Sequence, residues 1–326
     1  MLQNTLANNA AANECEEESD PEEQCTLIHA AANFSDAEMV KRILDNNLIS
    51  VNLKDAFGVT PLHAAIRSRD IACTKLLLAH RGINVNEQQN ELPSPLHFAA
   101  RRENPEFVKL LLAHPQIRVN NLTYNYRTAL REAVENGCVE TVKAFIAHKD
   151  TQLALTYTHR YTPLHLSAAA GLLDMLKELI RNGNIDVNAQ DESGCTPLYY
   201  AALKGRAECL KELLAVKNID VNIADKSGKT PLHMAVSLES SVCAKMLLAI
   251  PNIAVNKQDY YGRSPLSFAT QLGHTECVKA LLSHSEVDVN IRDTNGCTPL
   301  FFTRNPWLQN REEIAALLIQ HGATHN

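Results

Sequence analysis

The chain has 326 residues, 45% hydrophobic, 21% charged and only 5% aromatic, so it can bury a core, and that core must rest on aliphatic residues and alanine. No stretch approaches the eighteen or so uninterrupted apolar residues of a membrane-spanning helix, and no membrane insertion is expected. The net charge of −6 sits at one end: Glu14, Glu16, Glu17, Glu18, Asp20, Glu22 and Glu23 fall in the first 24 residues without a Lys or Arg, so residues 25–326 are near +1. A near-neutral body argues against nucleic acid as a partner, because phosphates call for clustered positive charge.

Taken in chain order, residues 1–24 are acidic, polar and poor in large apolar side chains, which predicts a disordered tail. The start of the chain has no basic segment followed by an apolar run, so no secretory signal is expected. Nine cysteines, an odd number, read as free thiols of a reducing compartment, hence a cytoplasmic location.

From Thr26 onward one pattern repeats. Thr-Leu-Ile-His at Thr26 returns as Thr-Pro-Leu-His at Thr60, Ser-Pro-Leu-His at Ser94 and Thr-Ala-Leu-Arg at Thr128, then at Thr162, Thr196, Thr230, Ser264 and Thr298, always 34 residues on. Nine units therefore fill residues 25–326, with approximate limits 21–54, 55–88, 89–122, 123–156, 157–190, 191–224, 225–258, 259–292 and 293–326. A fixed period of this length means a stacked repeat rather than one globule.

Within a unit, Thr or Ser followed by Pro predicts a helix N-cap and first helical residue. Small residues such as Ala201 and Ala202 suit a short helix approached closely by its neighbours. Gly137, Gly171, Gly205 and Gly273 mark a turn. A second helix follows, with Cys277, Val278, Leu281 and Leu282 on one apolar face. An Ile-x-Val-Asn stretch such as Ile219, Val221 and Asn222 then leads through an Asp-x-x-Gly turn, Asp225 to Gly228, into the next Thr-Pro. Each unit reads as helix, turn, helix and a protruding hairpin finger.

On these motifs the chain resembles the ankyrin repeat family over residues 25–326. The resemblance implies an all-α solenoid of helix-turn-helix units with β-hairpin fingers, in which fingers and first helices line a concave binding face. It also implies that Asn52, Asn86, Asn120, Asn188, Asn222, Asn256 and Asn290, which end the Val-Asn stretches, are possible sites of hydroxylation by an oxygenase. A structural asparagine that caps the hairpin is the plainer account. The Asn content and the 34-residue unit resemble ankyrin proteins of intracellular bacteria or protists, which implies an effector acting in a host cytosol.

Motifs with chemical meaning resolve into repeat positions. Ser227-Gly228-Lys229-Thr230 looks like the end of a phosphate loop, but Ile223 stands where that loop needs glycine. His29, His63, His97, His165 and His233 recur one unit apart, about 10 Å for packed helices. That is too far for a shared zinc, and the family implies a structural hydrogen bond instead. Cys73, Cys209, Cys243 and Cys277 share a core position, whereas Cys195 and Cys297 are expected to be accessible at finger turns. No nucleophile–base or metal-ligand spacing appears, so no enzyme, metal or cofactor is expected.

Function is then expected where the units differ. The resemblance places contacts at Phe57, Tyr124, Arg127, His159, Tyr161, Lys229, Tyr260, Tyr261 and Arg263 on fingers, and at Arg67, Arg101, Arg102 and Lys204 on helix ends. Tyr and Arg are the types that dominate interface hot spots. Arg67, Arg101, Arg102, Arg127 and Arg131 suggest a positive stripe suited to an acidic partner, either an external peptide or the chain's own tail. The fourth and fifth units depart most, with Ala129, Arg131, Glu132, Leu153-Ala154 and Tyr157 in place of the recurring residues, which predicts a soft joint over 149–161. The expected function is a monomeric, non-catalytic module that binds a protein partner; the alternatives are a substrate for asparaginyl hydroxylation and an adaptor or inhibitor subunit of a signalling complex.

Overall fold

A computed structural model describes residues 21–326, apart from 47–48, 89–91, 103, 154–159, 182–184, 239 and 325–326. Among the described residues there are eighteen helices and no strand. In chain order they are α1 (Pro21–Asn33), α2 (Ala37–Asp45), α3 (Pro61–Arg67), α4 (Ile71–Ala79), α5 (Pro95–Ala100), α6 (Glu106–Leu112), α7 (Ala129–Glu135), α8 (Val139–Ala147) and α9 (Pro163–Ala170). They continue as α10 (Leu173–Arg181), α11 (Pro197–Leu203), α12 (Ala207–Leu214), α13 (Pro231–Ser237), α14 (Ser241–Leu248), α15 (Pro265–Leu272), α16 (Thr275–Leu282), α17 (Pro299–Phe302) and α18 (Arg311–Gln320). Helix α1 begins inside the stretch expected to be disordered. The rest of the expected tail, residues 1–20, lies outside the described residues.

From α3 on the helices pair as the repeat predicts, and the first helices α3, α7, α9, α11 and α15 start on a capping hydroxyl. Thr196 Oγ1 accepts the Tyr199 N–H at 3.1 Å, and Pro197 fills the next position, where no N–H is needed. Second helices in the early repeats are capped by carboxylates: Asp70 accepts the Cys73 N–H at 2.8 Å. The chain divides into two compact units. One comprises residues 21–99 and 104–118; the other comprises residues 100–102 and 119–326. In the second unit the odd-numbered helices α7 to α17 pack in one row and the even-numbered α8 to α18 in another. Small residues allow this approach, with Ala133, Ala168, Ala201, Ala202, Ala235 and Ala269 all fully buried. Leu176, Leu210, Leu213, Leu247, Val278 and Leu281 fill the space between the rows, each contributing roughly 1.5–3 kcal/mol by leaving water.

Where β-hairpin fingers are expected, the described residues form tight turns with no strand, one isolated antiparallel bridge joining Leu122 and Thr128. Asp225 and Lys229 exchange one backbone hydrogen bond, Asp225 N–H to Lys229 O at 2.9 Å, and the Gly228 N–H returns to Asp225 O at 2.9 Å. The Asp225 carboxylate accepts the Ser227 and Lys229 N–H groups at 2.9 and 2.8 Å. Asp191, Asp259 and Asp293 hold identical turns. With the aspartate closing the turn locally, the arms are too short for a ladder of strand hydrogen bonds. Successive turns are joined by one backbone–backbone bond each, Lys226 N–H to Ser193 O, Tyr260 N–H to Ser227 O and Thr294 N–H to Tyr261 O, and the Gln258 amide adds a bond to Arg292 O at 2.9 Å. Gly262 has φ +73, and a Cβ there would lie 2.7 Å from Thr294 N, so this contact requires glycine.

The Val-Asn asparagines reach further than expected. Each amide spans to the next repeat, donating to a backbone carbonyl thirty or thirty-two residues on and accepting a backbone N–H two residues beyond it. Asn222 donates to Asn252 O at 2.9 Å and accepts from Ala254 N–H at 2.8 Å. Asn52, Asn86, Asn120, Asn188, Asn256 and Asn290 repeat the arrangement. Seven equal rungs explain why the pattern is so regular. At residues 153–154, Ala154 has no amide to make a rung, and residues 154–159 lie outside the described set. Asn222→Ala is expected to cost about 1 kcal/mol, since the stranded backbone groups are near solvent. Urea unfolding would register it, and an unchanged midpoint would remove the rung's structural role.

Candidate functional site

The anchor histidines are built into the interior. His233 Nδ1 accepts from the Thr230 N–H at 3.1 Å and lies 2.9 Å from Thr230 Oγ1, while Nε2 faces Arg263 O at 3.1 Å. His63 and His165 make the same set with Thr60 and Pro93 O, and with Thr162 and Cys195 O. Burial pulls His63 and His233 down to about 4 and lowers His165. Among the described residues no three of His, Cys, Asp and Glu converge to hold a metal ion. No described helix is long and apolar enough to cross a membrane.

The expected cysteine exposure is half corrected. Cys195 is buried, because Tyr199 and Tyr200 close over its turn, and burial pushes its thiol up to about 12. Cys297 is half-buried.

Part of the expected positive stripe is answered by acids of the same surface. Arg101 grips Glu132 with Nε to Oε2 at 3.0 Å and Nη2 to Oε1 at 2.9 Å. Arg127 and Arg131 both bind Glu135, at 2.7 and 3.0 Å. Glu132 is only 5% exposed, so its carboxylate needs this partner. In the other compact unit, Arg67 donates to Asn33 Oδ1 at 3.0 Å and has no acidic partner among the described residues. Arg102 Nε is buried without a hydrogen-bond acceptor among the described residues.

The remaining expected contact residues fall into three kinds. Phe57, Tyr124, Tyr260 and Tyr261 stand out from their turns, with Phe57 84%, Tyr260 74% and Tyr261 61% exposed. Lys204 is exposed at the end of α11. Tyr161 instead packs inward, stacked on His165 at 5.2 Å between ring centres and edge-on to Tyr200 at 5.0 Å, and burial raises its phenol to about 12. Behind it the Tyr200 hydroxyl donates to Asp191 at 2.7 Å and the Tyr199 hydroxyl to Asp225 at 2.9 Å. His159 lies outside the described residues.

Arg263 is the most constrained of the group. Its Nε and Nη2 both donate to Asp259 Oδ2, at 3.1 and 2.7 Å. Its guanidinium lies 4.4 Å from the Phe268 ring centre and 4.9 Å from that of Tyr261. Lys229 approaches the same Phe268 ring at 5.7 Å. Four exposed aromatics lie outside the expected contact residues: Phe34, at the turn after α1, Tyr126, Phe301, and Trp307, 90% exposed. The signal for Trp307 was its place among the extra residues of the last repeat.

A sequence model of the family described as ankyrin repeats (3 copies) matches residues 1–89, 96–191, 164–259 and 248–326. No curated protein matches the chain.

Proposed function

The chain belongs to the ankyrin-repeat family, whose repeats are generally protein–protein interaction modules, and from that premise we propose that it is a non-catalytic binding protein that engages its partner through the finger turns and first helices of repeats 7 to 9. One observation carries this reading: Tyr260 and Tyr261 are large aromatics held in solvent on a turn fixed at both sides by backbone bonds to its neighbours. The turn's backbone is already ordered by the fold, which lowers the entropy that binding must give up. Tyr and Arg at a rigid site have the character of hot-spot residues.

The turn's integrity does not depend on the two phenol rings, because Asp259 closes it through backbone N–H groups. Tyr260→Ala with Tyr261→Ala is therefore expected to leave stability nearly unchanged. Partner capture from a cytosolic lysate, quantified against wild type, should fall at least tenfold for the same captured proteins. Equal capture by the double variant would move the binding surface away from these turns.

A further inference from the structure

The Phe268 ring carries two cations and only one of them is neutralised. Arg263 is paired with Asp259, whose side chain is fully buried. Lys229 has no hydrogen bond or ion pair through its ammonium among the described residues, only the ring at 5.7 Å. The carboxylate of its own turn, Asp225, is turned away: Oδ1 accepts the Ser227 and Lys229 N–H groups and the Ser227 hydroxyl, and Oδ2 accepts the Tyr199 hydroxyl. His233 sits edge-on to Phe268 at 5.3 Å and, held neutral by burial, adds no charge. Two cations lie over one aromatic ring, and only Arg263 among them holds a carboxylate through its side chain. Lys226 on the same turn is exposed and adds positive charge.

We propose that this place receives a carboxylate side chain of an extended acidic peptide, lodged beside Lys229 and Arg263 over Phe268. The Lys229 ammonium would supply the charge-assisted hydrogen bond. Arg263 would act from a fixed position, because Asp259 and the two rings already set its orientation. Tyr260 and Tyr261 would flank the neighbouring residues of the peptide. The proposal rests on the binding reading above and names the chemistry of the partner segment.

Lys229 is the residue to test, since its side chain contributes no hydrogen bond to the fold. The full chain, its Lys229→Glu and Lys229→Met variants, and the Tyr260→Ala/Tyr261→Ala variant would each be panned against one display library of randomised twelve-residue peptides. Wild type is expected to enrich peptides rich in Asp and Glu. A synthesised winner should bind Lys229→Glu at least tenfold more weakly and Lys229→Met severalfold more weakly, with circular dichroism unchanged. Enrichment of neutral or basic peptides, equal affinity for the Lys229 variants, no enrichment at all, or equal competition by single-stranded DNA would each overturn the proposal. Winners that depend on Tyr260 and Tyr261 but ignore Lys229 would leave the binding surface standing and remove only its acidic ligand. Lysate capture unaffected by the tyrosine variant would remove the surface itself.

Discussion

Acidification from pH 7 to pH 4 is expected to destabilise the protein steeply, at about 1.4 kcal/mol per pH unit for each histidine buried as His63 and His233 are. In both, Nδ1 accepts a backbone N–H from the capping threonine. The ring proton therefore sits on Nε2, where it donates to the carbonyl of the next turn. A second proton on Nδ1 would face that N–H head-on. Burial disfavours the charged ring further, and both groups fall from 6.5 to about 4; the nearby Asp225 and Asp259 oppose this for His233 and Lys229 adds to it. The sign follows from proton counting. Between pH 6.5 and 4 the unfolded chain binds a proton at each of these sites and the folded chain does not, so stability drops as pH falls and is level above about 7. Integrated over that window the loss is on the order of 3 kcal/mol per histidine. Urea midpoints measured at half-unit steps should show it. His233→Gln should start less stable at pH 7 yet have a shallower pH profile, and an identical slope would remove His233 as its source.

Much of this was legible in the sequence, and the reason is physical. A residue that meets its counterpart in the next repeat must recur with the period, so Thr230, His233 and Asn222 announce themselves by repetition. The helix pairs follow from the same constraint, with Pro231 and Thr230 fixing where α13 starts. What repetition cannot show is how a recurring residue is used. Asn222 could cap its own hairpin or reach the next repeat, and only the structure places its amide on Asn252 and Ala254. The hairpins were legible only as far as their turns: the Asp-x-x-Gly motif sets a turn but says nothing about arm length, and Asp225 takes the Ser227 and Lys229 N–H groups locally. Surface charge was the least legible. Arg101 and Glu132 are thirty-one residues apart, and counting arginines along one repeat position hid the acid at another.

That acid makes the last expectation. Glu132 stands where neighbouring repeats of its unit place Leu166, Tyr200, Met234 and Phe268, so a charge occupies an apolar slot. It is tolerable there because Arg101 binds both its oxygens. Glu132→Ala removes the acid and leaves Arg101 beside an empty pocket. Breaking a fully buried pair costs roughly 3–5 kcal/mol. Arg101 keeps 46% of its side chain in solvent, and the discount for screening brings the expected loss to about 2 kcal/mol. Glu135→Ala, at a more exposed carboxylate, should cost less than about 1 kcal/mol. Replacing both partners, Glu132→Leu with Arg101→Leu, restores the apolar slot and should recover most of the loss, because no charge is left unpaired. Urea unfolding of the three variants separates these outcomes. A double variant as unstable as Glu132→Ala would mean the slot cannot accept an apolar side chain in this repeat. In the same Glu132→Ala protein, Arg101 loses its carboxylate and Arg127 its second one, and the surface of this repeat turns positive. The acidic peptides selected for Lys229 should then gain a second, salt-sensitive site there.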